Sequence, residues 1–263
     1  MTLRRVVSVA GLSLILCFFS SLINAESSLP VLKIDGRKPL AISVDIQGRS
    51  HPLTLPPEFL KETEDLYGDA YIRDLNGDGI GEVIFPLEGG SVNNCSKVLQ
   101  YRAVDNSLSE LAFKEGSLCN FKVGQGYVTS SYRDGSVWKE YIYRFREGLA
   151  EIEVIDSCVG CGEIKREVHN TDGAIAQFLV SDNVDFRLRV PLTSSVSSSK
   201  ATIFLSPEAS KKTKKYLVDG DKIALLDFIK DDEGEDWVKF RYVGIVVTEG
   251  WVKCTDLKYC DER

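Results

Sequence analysis

A short acidic loop in this sequence runs directly into a strand-like segment. Residues 74–82 read Asp-Leu-Asn-Gly-Asp-Gly-Ile-Gly-Glu, with oxygen side chains at the first, third, fifth and ninth positions. Oxygen ligands at alternate positions of a tight turn can wrap a hard cation such as Ca²⁺. A glycine after the third ligand gives the backbone the freedom that a sharp turn requires. The loop therefore predicts a calcium site formed by Asp74, Asn76, Asp78, the backbone carbonyl of Ile80, and Glu82.

The same loop does not fit an EF-hand. That motif requires a bidentate glutamate at the twelfth position, where this chain has Phe85. The residues after the loop, 83–85, are β-branched or aromatic and predict a strand. One alternative stays open, because Asp, Asn and Gly also dominate ordinary turns: a hairpin turn without metal. Ca²⁺ is the only cofactor that the sequence predicts.

The first 25 residues have the features of a secretory signal peptide. Arg4 and Arg5 precede an uncharged apolar stretch over 6–23, and Ala25 supplies the small residue at the cleavage point. We predict cleavage after Ala25 and a periplasmic or secreted protein. A retained membrane anchor is the alternative, although the apolar core is short for a span.

Net charge limits the classes of partner. Without the signal peptide, which holds two arginines and no acidic residue, 30 basic residues face 39 acidic ones, a net charge of −9. So acidic a chain is a poor candidate for binding nucleic acid or anionic lipid surfaces. We therefore expect no nucleic-acid partner and no membrane association after cleavage, and a cationic protein partner would suit this charge.

Export makes the six remaining cysteines candidates for disulfide bonds, because disulfides persist in oxidising compartments. Proximity in the sequence suggests Cys95–Cys119, Cys158–Cys161 and Cys254–Cys260. The pair at 158 and 161 also has the spacing of a thiol oxidoreductase motif, which needs a helix after it to stabilise the thiolate. A β-like segment follows instead, so a structural disulfide is the preferred interpretation.

Strand-like segments separated by Asn, Gly and Asp turns dominate the chain, and only 57–66 has a helical pattern. Serine-rich residues 193–200 predict a flexible linker between a domain over 26–192 and a domain over 201–263. The predicted fold is all-β and mainly antiparallel, with a sandwich or partial propeller followed by a small SH3-like barrel. The predicted strands of the first domain are 40–46, 71–72, 82–85, 97–101, 127–132, 139–145, 150–155 and 174–180.

The C-terminal segment contains four strand-like runs, 201–204, 220–223, 237–240 and 249–252, followed by Thr-Asp-Leu at 255–257. These runs resemble bacterial SH3 domains. Members of that family bind cell-wall peptides or dock proteins, so the resemblance implies a ligand groove. Because peptide-binding modules use aromatic walls, Tyr216 and Trp251 are the predicted groove residues. The cysteines at 254 and 260 depart from the family and are expected to clip the C-terminal tail.

Residues 71–82 resemble periplasmic proteins with a single calcium loop of the FG-GAP/VCBS type. That group includes immunity proteins that inhibit lysozyme-like effectors of type VI secretion. The resemblance covers about residues 60–155, and only the calcium loop is sharp. It implies a metal-stiffened turn, and further an inhibitor or immunity protein whose partner is a basic peptidoglycan hydrolase.

We therefore predict a non-catalytic calcium-binding protein that acts at the cell envelope. One alternative is an envelope module that recognises peptidoglycan or a wall peptide, and another is an uncharacterised hydrolase. The two histidines, His51 and His169, are accompanied by no nucleophile elbow or metalloprotease pattern. The acidic tract 231–236 is expected to be a solvated hairpin tip that could also contact a basic partner.

Overall fold

The computed structural model describes residues 29–37, 40–63, 69–87 and 92–261. The predicted signal peptide lies outside these ranges. Within them, twenty β-strands form four antiparallel sheets, accompanied by two short α-helices. The predicted all-β, mainly antiparallel fold class is confirmed.

The first sheet consists of three consecutive strands followed by a short helix. The elements are β1 Val31–Arg37, β2 Leu40–Ile46, β3 Arg49–Leu53 and α1 Pro57–Thr63. The helix begins at a proline, whose fixed φ suits the first helical turn. Phe59 of α1 packs edge-on against Phe85, with 4.8 Å between ring centroids. The helix therefore joins the first sheet to the second.

The second sheet carries the predicted calcium loop, which connects its first two strands. The elements are β4 Tyr71–Arg73, β5 Glu82–Pro86, β6 Cys95–Arg102 and β7 Ser107–Glu110, in that order, and β8 Leu118–Cys119 pairs with β6. Strand β5 is covered on both faces, because Val83 and Phe85 pack into one apolar cluster and Ile84 packs into another. This alternation follows from the two-residue period of a strand.

The third sheet is a meander of six strands joined by hairpins. Its spatial order is β14-β13-β12-β11-β10-β9, the reverse of the chain order. Turns that contain Asp and Gly, at 133–135 and 171–173, connect β10 to β11 and β13 to β14. The strands are β9 Lys122–Gly124, β10 Tyr127–Asp134, β11 Val137–Arg146, β12 Leu149–Val159, β13 Glu163–His169 and β14 Ile175–Ser181.

The fourth sheet is open, in contrast to the predicted small barrel. Its order is β15-β18-β19-β20-β16-β17, and nothing in the described ranges pairs β15 with β17 to close it. The register between β16 and β17 shifts after Thr202, which bends the outer strand. The strands are β15 Thr193–Ser195, β16 Ala201–Phe204, β17 Lys212–Leu217, β18 Lys222–Lys230, β19 Asp236–Val243 and β20 Val247–Lys253.

Among the described residues, helical structure other than α1 is confined to short turns. These include 3-10 helices over Phe186–Leu188, Ala209–Lys211 and Cys254–Asp256, and α2 over Lys258–Asp261. Across the described parts of the chain, no helix is long and apolar enough to cross a membrane.

The first half of the serine-rich segment 193–200, which was predicted to be a flexible linker, is ordered against the fourth sheet. Thr193–Ser195 forms β15, which pairs with β18, and Val196 is fully buried. Composition gives no sign of this, because β15 is held by backbone hydrogen bonds that any residue other than proline can make.

The residue that precedes β15, Leu192, forms backbone hydrogen bonds with both the third and the fourth sheet. The N–H of Leu192 donates to the carbonyl of Leu179 at 2.9 Å, and the carbonyl of Leu192 accepts from the N–H of Leu225 at 3.0 Å. Leu179 also belongs to the apolar core of the fourth sheet. The two predicted domains therefore share hydrogen bonds and buried surface.

All three predicted disulfides are confirmed. Cys95–Cys119 joins β6 to β8, Cys158–Cys161 closes the connection from β12 to β13, and Cys254–Cys260 ties a 3-10 turn to α2. A strand rather than a helix follows the second pair, which agrees with its interpretation as a structural disulfide.

Candidate metal centre

The loop between β4 and β5 is anchored at two buried points. The apolar side chain at its second position, Leu75, is 1% exposed and packs in the core with Ile84. The last predicted ligand, Glu82, is 3% exposed and begins β5. The polar positions between these anchors are therefore held on a rigid base.

Asp74 organises the turn itself. Its carboxylate accepts hydrogen bonds from the N–H of Gly77 at 2.6 Å and from the N–H of Gly79 at 3.0 Å. Both glycines have positive φ, of 80° and 85°. Other residues adopt this left-handed conformation only with strain, so the glycines allow the chain to curl around the Asp74 carboxylate.

Asn76, Asp78 and Glu82 meet at one amide group. The Asn76 Nδ2 donates to Asp78 Oδ2 and to Glu82 Oε1, at 3.0 Å in each case. The other oxygen of Asp78 accepts from the N–H of Ile80 at 2.7 Å. The partly positive NH₂ group of Asn76 thus bridges two carboxylates.

Glu82 has an unusual electrostatic environment. Burial raises the pKa of its carboxyl to about 7, and the nearby carboxylates of Asp78 and Asp74 act in the same direction. A hydrogen bond from the N–H of Leu75 to Glu82 Oε2, at 2.7 Å, opposes the rise in pKa. A buried carboxylate beside two others is an environment that a cation would neutralise.

The donor set fits a hard cation in its chemistry. It contains only oxygen ligands, which Ca²⁺ prefers, and lacks the nitrogen and sulfur ligands typical of Zn²⁺. No group of three or more Asp, Glu, His or Cys side chains in the described ranges is arranged to hold a metal ion. The NH₂ group of Asn76 lies between the carboxylates of Asp78 and Glu82. For Asn76 to bind a cation between them, its carbonyl oxygen would have to take the place of that NH₂ group.

The two predicted groove residues lie on different strands. Tyr216 of β17 pairs with Thr202, and Trp251 of β20 pairs with Phe204, so β16 lies between them. Tyr216 is 51% exposed, and the Lys200 ammonium lies 4.7 Å from its ring centroid. Neither aromatic ring lines the cavities of about 300–550 Å³ found among the described residues. A ligand groove formed by the two rings stays a prediction.

The two histidines lie in different parts of the fold, and the acidic tract lies in a third place. His51 lies on β3 and His169 ends β13, in different sheets. Residues 231–235 of the tract connect β18 to β19, and Asp236 begins β19. The first residue of the tract, Asp231, accepts a hydrogen bond from Trp237 Nε1 at 2.8 Å, which lowers the pKa of the Asp231 carboxyl. The start of the tract is therefore part of the turn.

A buried ionic cluster in the third sheet was not predicted. Asp156 is fully buried and forms two hydrogen bonds with Arg166, at 2.7 and 2.6 Å. Arg189 reaches Asp156 at 2.5 Å and Glu140 at 2.8 Å. Two arginines are thus balanced by two carboxylates. The only sequence signal is an acidic residue within the β-branched run of β12, and the partners come from distant segments.

Comparisons with known proteins add little. No protein-family model matches the chain, and no curated protein matches it. A solved structure described as "Structure of a Xanthomonas Type IV Secretion System related protein" is 17% identical over 61% of this chain and 84% of that chain, with a TM-score of 0.34. At this TM-score the likeness supports no inference about fold or function.

Proposed function

We propose that the protein binds Ca²⁺ at the 74–82 loop and uses the ion to stiffen a non-catalytic binding scaffold at the cell envelope. The observation that supports this is the Glu82 carboxylate, which is 3% exposed and has Asp78 and Asp74 as neighbours. A buried charge without a counterion costs folding free energy, and a bound cation would remove that cost.

The environment suits a site of modest affinity. The three disulfides indicate an oxidising extracellular or periplasmic environment. Extracellular Ca²⁺ modules work with dissociation constants of about 10⁻⁴–10⁻³ M. A stabilising role for the ion therefore requires no tighter binding than that.

Thermal unfolding with Ca²⁺ and with chelator tests the metal site. We expect Ca²⁺ to raise the melting temperature of the wild type and to leave Asp78→Ala unchanged. Asp78 is exposed, so its substitution disturbs little of the core. The matched control is Asp172→Ala, which removes a similar carboxylate-to-backbone hydrogen bond in the turn before β14 and should retain the response. No response in the wild type, or an equal response in Asp78→Ala, would reduce the loop to a metal-free turn.

The partner that we propose is a basic peptidoglycan hydrolase, which the protein inhibits. The support is the resemblance carried by residues 71–82 and the acidic net charge, which is −7 for the full chain. Asp232 and Glu233, at the exposed tip between β18 and β19, offer a contact for such a protein. Pull-down and activity assays with lysozyme-like hydrolases test this, with the neutralised variant D232N/E233Q expected to bind more weakly. Failure to bind or inhibit any of them would remove the inhibitor proposal.

The second candidate is recognition of peptidoglycan itself. The half-exposed ring of Tyr216 favours it, because an aromatic surface can hold a wall peptide. Sedimentation with purified sacculi separates the two candidates, since an inhibitor need not pellet with the wall. Tyr216→Ala should abolish pelleting, while Tyr71→Ala, which changes an exposed tyrosine of the second sheet, should not. Pelleting that is unaffected by Tyr216→Ala would exclude this surface.

A further inference from the structure

The outer edge of the fourth sheet carries a concentrated group of lysines. Lys211, Lys212, Lys214 and Lys215 are all exposed on or beside β17, which is the terminal strand of its sheet. Lys200 joins them, because its ammonium lies over the ring of Tyr216. We call these five lysines the lysine edge.

The lysine edge has no counterions of its own. Within the described ranges none of the five lysines forms an ion pair, whereas Lys33, Lys139 and Lys253 each have a carboxylate partner at 2.9 Å or less. Three acidic residues lie nearby in the sequence: Glu208, Asp219 and Asp221. Glu208 accepts hydrogen bonds from two serine hydroxyls and Asp221 accepts one from a backbone N–H. The local charge is therefore positive on a chain that is negative overall.

Exposed apolar side chains lie beside the lysine edge. Leu205 is 76% exposed, Tyr216 is 51% exposed and Val218 is 44% exposed. The N–H of Leu205 donates to the carbonyl of Lys211 at 3.0 Å, so this leucine is a direct neighbour of the lysines. The surface thus combines cationic groups with apolar groups whose transfer out of water lowers the free energy.

Protection of a sheet edge explains only part of this arrangement. Natural proteins place lysines and bulges on edge strands to prevent pairing with other chains. Here β17 already has an irregular register against β16, between Thr202 and Phe204. Protection also gives no reason for exposing a leucine and a tyrosine beside the lysines, because exposed apolar groups promote association.

We propose that the lysine edge docks the protein onto a bilayer that contains anionic phospholipid. The ammonium groups would contact lipid phosphates, and Leu205, Tyr216 and Val218 would lie at the interface between headgroups and acyl chains. Lysine acts as a flexible point charge, which suits phosphates on a fluid surface better than the fixed geometry that arginine provides. The apolar neighbours favour a bilayer over a soluble polyanion.

The negative net charge of the chain predicted no association with anionic lipid. The lysine edge is locally positive, and this uneven distribution of charge explains how the proposal can hold. At physiological ionic strength the Debye length is about 8 Å, so acidic residues on the far side of the sheet are largely screened from a surface that touches β17. The proposal is independent of calcium binding and of any hydrolase partner.

Sedimentation with lipid vesicles tests the proposal on the disulfide-bonded protein. We expect binding to phosphatidylcholine vesicles that contain phosphatidylglycerol, none to phosphatidylcholine alone, and weakening with added salt. Each lysine in contact contributes about fivefold to the partition coefficient. The variant K211Q/K212Q/K214Q/K215Q should therefore lower the coefficient more than about tenfold.

A second quadruple variant controls for net charge. K61Q/K114Q/K122Q/K258Q removes the same number of charges from exposed positions dispersed over the rest of the chain. It should reduce binding by less than about threefold, because distant charges are screened. Far-ultraviolet circular dichroism and melting temperatures verify that both variants are folded.

A fluorescent variant supplies evidence that does not depend on the lysine substitutions. Tyr216→Trp should show a blue-shifted emission with phosphatidylglycerol vesicles relative to the wild type. Equal weakening in both quadruple variants, no binding by the wild type, or an unshifted emission would each overturn the proposal. Capture by polyphosphate without any binding to vesicles would overturn it in favour of a soluble polyanion.

Discussion

Glu82 Oε2 accepts a hydrogen bond from the backbone N–H of Leu75 at 2.7 Å, and both residues are almost fully buried. The first residue of β5 therefore closes the loop that leaves β4. This contact explains why the ninth loop position differs from the others: Glu82 belongs to the core as well as to the candidate metal centre. The consequence is a carboxyl group whose charge is disfavoured by folding.

The raised pKa of Glu82 predicts how stability depends on pH. Its usual value is 4.5 and its folded value is about 7. Between these values the folded protein retains a proton that the unfolded chain has lost, so acid favours the folded state. Without divalent cations, this group should make the free energy of unfolding fall as the pH rises from 4.5 to 7, and level off above that. Denaturant melts across this range in the presence of chelator measure the effect.

Two comparisons make the pH test specific. Saturating Ca²⁺ should remove the loss of stability towards pH 7, because the ion favours the charged carboxylate. Glu82→Gln should remove the contribution of this residue in both conditions. An identical pH profile for wild type and Glu82→Gln would contradict the assigned role of burial.

Asp156 is predicted to be among the most sensitive positions of the third sheet. Asp156→Asn leaves Arg166 and Arg189 without their shared carboxylate in a buried site. Breaking a buried ion pair from one side costs about 3–5 kcal/mol. Urea unfolding should show a loss of that size. The control is Asp134→Asn, which breaks a surface pair with Lys139 and should cost about 0–1 kcal/mol. Similar losses in the two variants would contradict the proposed difference.

Leu179 is predicted to couple the third sheet to the fourth. It is 1% exposed and lies in the core of the fourth sheet, although it belongs to β14. Leu179→Ala should cost about 2–5 kcal/mol and should lower hydrogen-exchange protection of amides in β18. Ile175→Ala changes a 54% exposed residue of the same strand and should leave that protection unchanged. Unaltered exchange in β18 of Leu179→Ala would show that the sheets unfold independently.

The disulfides are predicted to differ in their contribution to stability. Cys95–Cys119 spans 24 positions and Cys158–Cys161 spans three. In the chain-entropy account, the longer loop gives about 3.5 kcal/mol and the shorter about 2 kcal/mol. Paired serine variants, measured by thermal melting, should therefore show the larger loss for the first bridge. The reverse order would indicate that strain or packing outweighs loop entropy.

Local signals predicted a large part of the strand content. Alternating β-branched and aromatic residues located β2 and β10 because their pattern follows the two-residue period of a half-buried strand. Several short or polar strands were not predicted from the sequence. Strand β15, with the sequence Thr-Ser-Ser, exists because β18 lies beside it, and its composition indicated a linker.

The residues of the candidate metal centre were easier to propose from the sequence than those of the other sites, because all of them lie within nine positions of one turn. The structure added the burial of Glu82 and its contact with Leu75, which depend on packing against β5 and the core. The predicted groove residues Tyr216 and Trp251, in contrast, lie far apart in the sequence and on different strands. Their separation by β16 follows from a strand order that does not match the chain order.

The all-β class, the three disulfide pairs and the oxygen-rich composition of the 74–82 loop were all indicated by the sequence. These properties depend on residues that are close together in the chain. Tertiary contacts set the open fourth sheet, the shared core around Leu179, the balanced charges around Asp156, and the position of Lys200 and Leu205 beside the lysines of 211–215. Each of these joins distant segments, and their contacts are set by the pairing of strands and the exclusion of water from a common core.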